Sequence, residues 1–324
     1  TGTSYIDDIM VSLPPTCFPV SDVRLDTASV DFTSAAFQWT PWQDEPGWDV
    51  AYWRVANPTD TVRLHTEEPR VVIEDLNPSE RYFFDIQVLT NCGDGDVAEK
   101  VTSGRLEFDT KCTVVEPVND TIHYNPGAYG RQTLPPCYKS YMSKSTYKYP
   151  SQWVADYYYN REGGSYYHLY LTSTSGDSVA HTLVFPQSVI DNGMEFSFWA
   201  RDNSNHAGDS LIIYINDAPT VDNAFRIAEV KDLTNEYKFY RFAIPDDLAG
   251  EMYIMIEGYN RSWLAISEPM VSPKPACVPV GDITMGEITT ESVSFSWKTF
   301  GEEQNWFAIA DLNDGDITFE DVTP

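Results

Sequence analysis

The sequence predicts an all-β chain made of more than one sandwich-like module. Three observations lead there. β-Branched and aromatic residues, the latter 14% of the chain, recur in short alternating runs. Clusters of Gly, Pro, Asn and Asp separate those runs, and extended helical periodicity is absent. At 324 residues the chain exceeds what one core usually organises, so two domains or more are expected.

The first strands are read directly from alternation. Ala35, Phe37 and Trp39 alternate in SAAFQW, as in a strand with one buried face. Trp48, Val50 and Tyr52 alternate in GWDVAY, and Val71 and Ile73 do so in RVVIEDL. In LNPSERYFFDIQV, Tyr82, Phe84, Ile86 and Val88 point one way. The pattern Leu76-x-Pro78-x-x-x-Tyr82-x-Phe84-x-Ile86, after a tryptophan ending the second strand, resembles a fibronectin type III domain. Tyr82 matches that family's corner tyrosine. The resemblance covers residues 14–110.

The next run of strands is HTLVFPQ, MEFSFWA, SLIIYIND, NAFRIAEV, YKFYRFAIP, EMYIMIEGY and SWLAISEPMVS. Eight or more antiparallel strands without helices suggest a jelly roll. The order FSFWARD, GDSLIIYI and a last strand leading into C-x-P resembles the MAM-like and cleaved-adhesin jelly rolls of Bacteroidota surface proteins. LPPCY at Leu134–Tyr138 is similar to their LPxCW. This module is expected over 111–273. Those domains open on an acidic LPYxEDFE segment, whereas this chain has VEPVNDTIHYNPG there.

Two further segments follow from a repeat. MVSLPPTCFPVSD (Met10–Asp22) recurs as MVSPKPACVPVGD (Met270–Asp282), offset by 260 residues. SVSFSW places Val293, Phe295 and Trp297 as SAAFQW places Ala35, Phe37 and Trp39. Residues 1–13 therefore read as the terminal strand of a preceding jelly roll, and 274–324 as the start of a second fibronectin type III domain. The whole is a fibronectin type III sandwich, then a jelly-roll β-sandwich, then part of another such sandwich, cut from a longer alternating array.

Five cysteines are an odd number. On the fibronectin resemblance Cys17 precedes the first strand at the pole where Cys92 ends the sixth, which implies a bond between them. Cys112 and Cys137 flank the jelly-roll opening and form the second expected pair. Cys277 would bond a cysteine of its own domain that this chain does not contain. Five reduced thiols are the alternative, and zinc finds no C-x-x-C or paired Cys/His spacing.

Composition and motifs exclude several functions. A net charge of -28 repels a phosphate backbone, so nucleic acid is not an expected partner. No apolar run is long enough to span a bilayer. His65, His123, His168, His181 and His206 lack metal-ligand spacing, and HExxH, G-x-S-x-G and a Walker loop are absent. His206 in ARDNSNHAGDS sits among turn formers, so no catalytic residue is expected. DLNDGDITFED (Asp311–Asp321) resembles a calcium loop, but its glycine comes one position early, and a hairpin turn is the expectation.

Calcium is the one cofactor the residues suggest. Jelly rolls of this kind carry carboxylates on the terminal strand, which points to Asp7, Asp8 and the aligned Glu268. Aromatics crowd WVADYYYNREGGSYYHLYL, so Trp153, Tyr158 and Tyr166, with Arg201 and Asn205 as hydrogen-bonding neighbours, are the candidate ligand-binding set. The resemblance also implies O-glycosylation at Asp-Ser/Thr-apolar triplets, here Thr27, Thr61, Thr121, Ser178 and Ser210. The expected function is a non-catalytic segment of a secreted or cell-surface protein that binds glycans or extracellular proteins beside its neighbouring modules. An accessory tail of a secreted peptidase or hydrolase is the alternative, as is a structural spacer.

Overall fold

The computed structural model describes residues 20–42, 45, 47–88, 101–102, 105–127, 129, 133–144, 152–156, 168–171, 179–202, 209–231, 233–260, 263–275, 281–289, 292–298, 306–312 and 315–322. Every strand-to-strand ladder in it is antiparallel.

The first sandwich holds β1 (Ser21–Asp26), β2 (Ala35–Thr40), β3 (Trp48–Arg54), β4 (Asn57–Thr66), β5 (Arg70–Ile73), β6 (Arg81–Val88), β7 (Val101–Thr102) and β8 (Leu106–Asp109). Strands β1, β2 and β5 form one sheet in that order. In the other, β4 pairs β3, β3 pairs β6, and β6 pairs both β7 and β8. Alternation decides which side chains meet between the sheets. Ala35, Phe37 and Trp39 are buried from one, and Trp48, Val50, Tyr82, Phe84, Ile86 and Phe108 from the other. Phe37 stacks on Phe84 with ring centroids 3.8 Å apart and meets Phe108 edge-on at 5.1 Å. The Tyr82 hydroxyl accepts the Asn77 N–H at 2.8 Å, pinning the corner before β6.

The link to the second sandwich is held by backbone. The Ser79 N–H donates to the Lys111 carbonyl at 3.0 Å, and the Thr113 N–H donates to Ser79 Oγ at 3.0 Å. Tyr129 donates its hydroxyl to Glu80 at 3.2 Å. Cys112 is joined to Cys137 by a disulfide. Cys17, Cys92 and Cys277 lie outside the described residues.

The second sandwich contains β9 (Ile122–His123), β10 (Lys139–Lys144), β11 (Trp153–Asp156), β12 (His168–Leu171), β13 (Val179–Val184), β14 (Ser188–Ile190), β15 (Met194–Asp202), β16 (Ser210–Asn216), β17 (Phe225–Lys231), β18 (Lys238–Ala243), β19 (Gly250–Asn260) and β20 (Leu264–Pro273). One sheet runs β10-β13-β19-β16-β17, with β14 also on β19. The other runs β11-β12-β20-β15-β18, with β9 also on β20. Their facing sides make one core, which includes Phe185, Phe196, Phe198, Leu171, Ile213, Ile256 and Ile266. Two buried hydroxyls are tied in: Tyr124 donates to Ser188 Oγ, which donates to the Pro186 carbonyl, both at 2.9 Å.

The remaining strands are β21 (Gly281–Ile288), β22 (Val293–Lys298), β23 (Trp306–Leu312) and β24 (Gly315–Val322). They form the hairpins β21-β22 and β23-β24. Asp311 pairs with Asp316 and Leu312 with Gly315, so these residues lie in antiparallel strands, as the hairpin expectation requires. Trp297 and Trp306 meet edge-on at 6.4 Å, as Trp39 and Trp48 do at 5.6 Å. Phe295 is nonetheless 51% exposed where Phe37 is 1% exposed. Phe37 is covered by rings from β6 and β8, and Phe295 meets no such ring among the described residues.

Candidate functional site

The aromatic residues that alternation turns away from the second core gather on the outer face of β11-β12-β20-β15-β18. Phe196, Phe198 and Ala200 of β15 enter the core, so Ser197, Trp199 and Arg201 face outward. On β18 the register sets Phe239 beside Trp199 and Arg241 beside Ser197. On β11, β12 and β20 the outward residues are Val154 and Asp156, His168 and Tyr170, and Ala265 and Ser267.

Rings meet in two pairs on this face. Trp199 and Phe239 lie 5.2 Å apart, and Tyr170 stacks on Trp263 at 5.7 Å. Each pair has one well-exposed member, Phe239 at 40% and Trp263 at 37%. Between them Tyr237 covers a small cluster of Val154, Tyr170 and Ala265. The Arg201 guanidinium sits over the Tyr237 ring at 5.1 Å, and the His168 ring lies 6.1 Å from it. Asp156 and His168 are register partners across β11 and β12, and both are buried although they point away from the core.

Two features fix the geometry of that face. Arg241 binds the buried Glu195 through both carboxylate oxygens, with its Nε 3.1 Å from each, and this holds β18 on β15. Secondly, Glu268 and Pro269 of β20 stand opposite the single residue Phe198, because Ser197 pairs Met270 and Trp199 pairs Ser267. This is a β-bulge, with Glu268 in the left-handed region at φ 50°. The bulge lets a central strand contain Pro269 and returns both strands to register on either side.

The sequence-predicted site residues divide as follows. Arg201 lies on the aromatic face. Tyr158, Tyr166 and Asn205 lie outside the described residues, as do Asp7, Asp8 and Ser178. Trp153 must be corrected: it is 1% exposed and belongs to the core. Its indole N–H donates to the His181 carbonyl at 3.0 Å, and it packs against Gly258, where a Cβ would come within 3.0 Å of the ring. No sugar can stack on it. Ser210 must be corrected as a glycosylation site, because it is 9% exposed in a strand paired on both sides. Thr27 is exposed in the β1–β2 turn, Thr61 is exposed on β4, and Thr121 is half-buried.

Glu268 is half-buried in its bulge. Among the described residues no three His, Cys, Asp or Glu side chains gather to hold a metal ion. Trp199, Tyr237, Phe239 and Trp263 were missed as site residues. The alternation of FSFWARD that buries Phe196 and Phe198 carries the signal for Trp199 and Arg201, whereas Tyr237 and Trp263 sit in loops without periodicity.

No protein-family model matches the chain, and no curated protein matches it. Solved structures similar to it include the K1 cleaved adhesin domain of Lys-gingipain from Porphyromonas gingivalis W83. That similarity is at 13% identity over 48% of this chain and 99% of that one, with a TM-score of 0.39. A carbohydrate-binding module of the β-sandwich superfamily is similar at 12% identity over 79% of this chain and 98% of that one, with a TM-score of 0.35. The fn3 domain of human contactin 1 is similar at 17% identity over 35% of this chain and 93% of that one, with a TM-score of 0.26.

Proposed function

We propose that this chain is a non-catalytic binding segment of a secreted or cell-surface protein, and that the outer face of β11-β12-β20-β15-β18 recognises glycans. One observation carries this reading. Two aromatic pairs, each offering one exposed ring, flank an arginine on the outer face of one sheet. Exposed rings supply flat apolar area for the C–H faces of a sugar, and the guanidinium supplies donors for its oxygens. The Cys112–Cys137 disulfide supports an oxidising, extracellular setting. Thr27 and Thr61, being exposed, are the described hydroxyls open to O-glycosylation, and an intact mass of native material equal to the bare polypeptide would remove that part.

The test is a glycan array probed with the full chain, followed by titration of the best ligand against Trp263→Ala and Phe239→Ala. Saturable binding that falls at least about tenfold in each variant, with thermal unfolding unchanged, is the expected result. A chain that binds no glycan, or whose binding ignores both rings, overturns the proposal in favour of a spacer.

A further inference from the structure

A second site of different chemistry is built into the first sandwich. Its outer face on β4-β3-β6 has one small side chain in the middle. The register sets Ala51 between Arg63 of β4 and Asp85 of β6, with Trp53 and Phe83 side by side in the next row. The missing side-chain volume at Ala51 leaves an open groove of about 460 Å³, which Arg105 also lines. A space of that size lies within the range of small-ligand pockets.

The charged groups of the groove attract one another across the sheet but make no direct hydrogen bond or ion pair to one another among the described residues. Trp53 and Phe83 lie 5.8 Å apart, and the Arg105 guanidinium is held over both, at 4.9 and 4.8 Å from the ring centres. Its N–H edges are thereby positioned by the rings and not by an acid. Neither Arg105 nor Arg63 comes within ion-pairing distance of a carboxylate among the described residues, in a chain with 49 acids and only 21 Lys and Arg. Asp85 Oδ1 is buried and accepts no hydrogen bond there. Burial pushes the Asp85 carboxyl up, and the Ile86 N–H, Arg105 and Arg63 pull it the other way.

We propose that this groove binds an acidic sugar, a pyranose carrying a carboxylate. The two guanidinium groups ask for an anion with two oxygens, and a carboxylate fits their fork. Asp85 Oδ1 asks for a hydroxyl donor, and Trp53 and Phe83 offer apolar edges to the ring. A neutral sugar leaves both arginines without a direct ion-pair partner, and a bare carboxylate gives Asp85 Oδ1 no donor. One uronate ring supplies all three complements within the available volume. This site is independent of the aromatic face on the second sandwich.

The experiment titrates the full chain, at its verified bare polypeptide mass so that no glycan on Thr61 fills the groove. The probes are tri-galacturonate, the neutral galactotriose and a glutamate-rich peptide, followed by calorimetry and by amide shifts of β3 and β6. Saturable binding of tri-galacturonate alone is expected, weakened at least tenfold by Arg63→Gln and by Arg105→Gln. Arg63 is exposed, so its substitution leaves the fold intact, and a circular-dichroism melt checks this for both variants. Trp263→Ala should leave the affinity unchanged. Equal binding of galactotriose, binding of the peptide only, insensitivity to both arginine variants, or loss in Trp263→Ala would each overturn the proposal.

Discussion

Replacing Arg241 by Met should destabilise the second sandwich far more than its position on an edge strand suggests. The Glu195 side chain is 6% exposed and that of Arg241 21%, so the carboxylate is nearly dry and its one described cation is bidentate. Removing one partner of a buried ion pair costs about 3–5 kcal/mol, because the other charge is left without compensation. Water reaching Arg241 discounts that toward about 2–3 kcal/mol. With a urea m-value of about 2 kcal/mol per molar, the midpoint should fall by roughly 1 M at constant slope. Changing both residues to Met removes the stranded charge and should bring stability back to within about 1 kcal/mol of the parent. Urea unfolding at pH 7, read by tryptophan fluorescence, measures all three proteins. A single variant costing under about 0.5 kcal/mol, or a double variant as unstable as the single, would refute the assignment of a dry, mutually dependent pair.

Two further outcomes follow from the tyrosines. Tyr82→Phe removes the acceptor of the Asn77 N–H while keeping the buried ring, so a loss of about 1–2 kcal/mol is expected with faster hydrogen exchange at Asn77; an unchanged exchange rate would show that the hydroxyl does not hold the corner. Tyr259 and Tyr129 are both pushed up to about 12, chiefly by burial, reinforced by Glu257 for the first and Glu80 for the second. Unfolded tyrosines ionise near 10, so between about pH 10 and 12 the native state binds more protons than the unfolded state and stability falls as pH rises. An absorbance titration should show these phenols ionising after the exposed ones, and a single titration step near 10 in the folded protein would contradict it.

Alternation made the first sandwich legible because its strands have one dry face and one wet face. Phe37, Phe84 and Ile86 were placed inward by spacing alone, and Tyr82 by its distance from Leu76 and Pro78. Alternation could not have warned against Trp153, suggested by an aromatic-rich run, or Ser210, suggested by an Asp-Ser-apolar triplet, for a physical reason. All four residues of β11 are buried, as are the first four of β16, so period-2 spacing no longer separates core from surface there. Trp153 was read as a platform because it belongs to a tyrosine-rich run, but the space left by Gly258 draws its indole into the core. The bulge at Glu268 left one readable trace, Pro269 in a strand that pairs on both edges. Cross-strand coincidences such as Arg63, Ala51 and Asp85 leave none, because register between β3, β4 and β6 depends on turns and core packing far from those residues.

The two proposed sites share a construction that separates binding from folding. In each, a strand whose inner residues fill a core presents its outer residues to solvent, and an arginine lies over a ring: Arg105 on Trp53 and Phe83, Arg201 on Tyr237. The members carried on strands, such as Trp53, Phe83, Trp199 and Phe239, are held firmly by their sheets, so little order has to be imposed on them when a ligand arrives. Exposed rings such as Phe239 and Trp263 can therefore be removed with little effect on the core beneath them. Arg241 is the informative exception. Its guanidinium also lies 5.9 Å from the Phe239 ring, and its bond to Glu195 anchors the edge strand that carries that ring. Breaking the pair should loosen the Phe239 side of the platform together with the sheet, whereas Trp263, on the segment entering β20, should keep its place. Glycan affinity lost in Arg241→Met but restored in the double Met variant would locate the Arg241 contribution in the scaffold rather than in contact with the sugar.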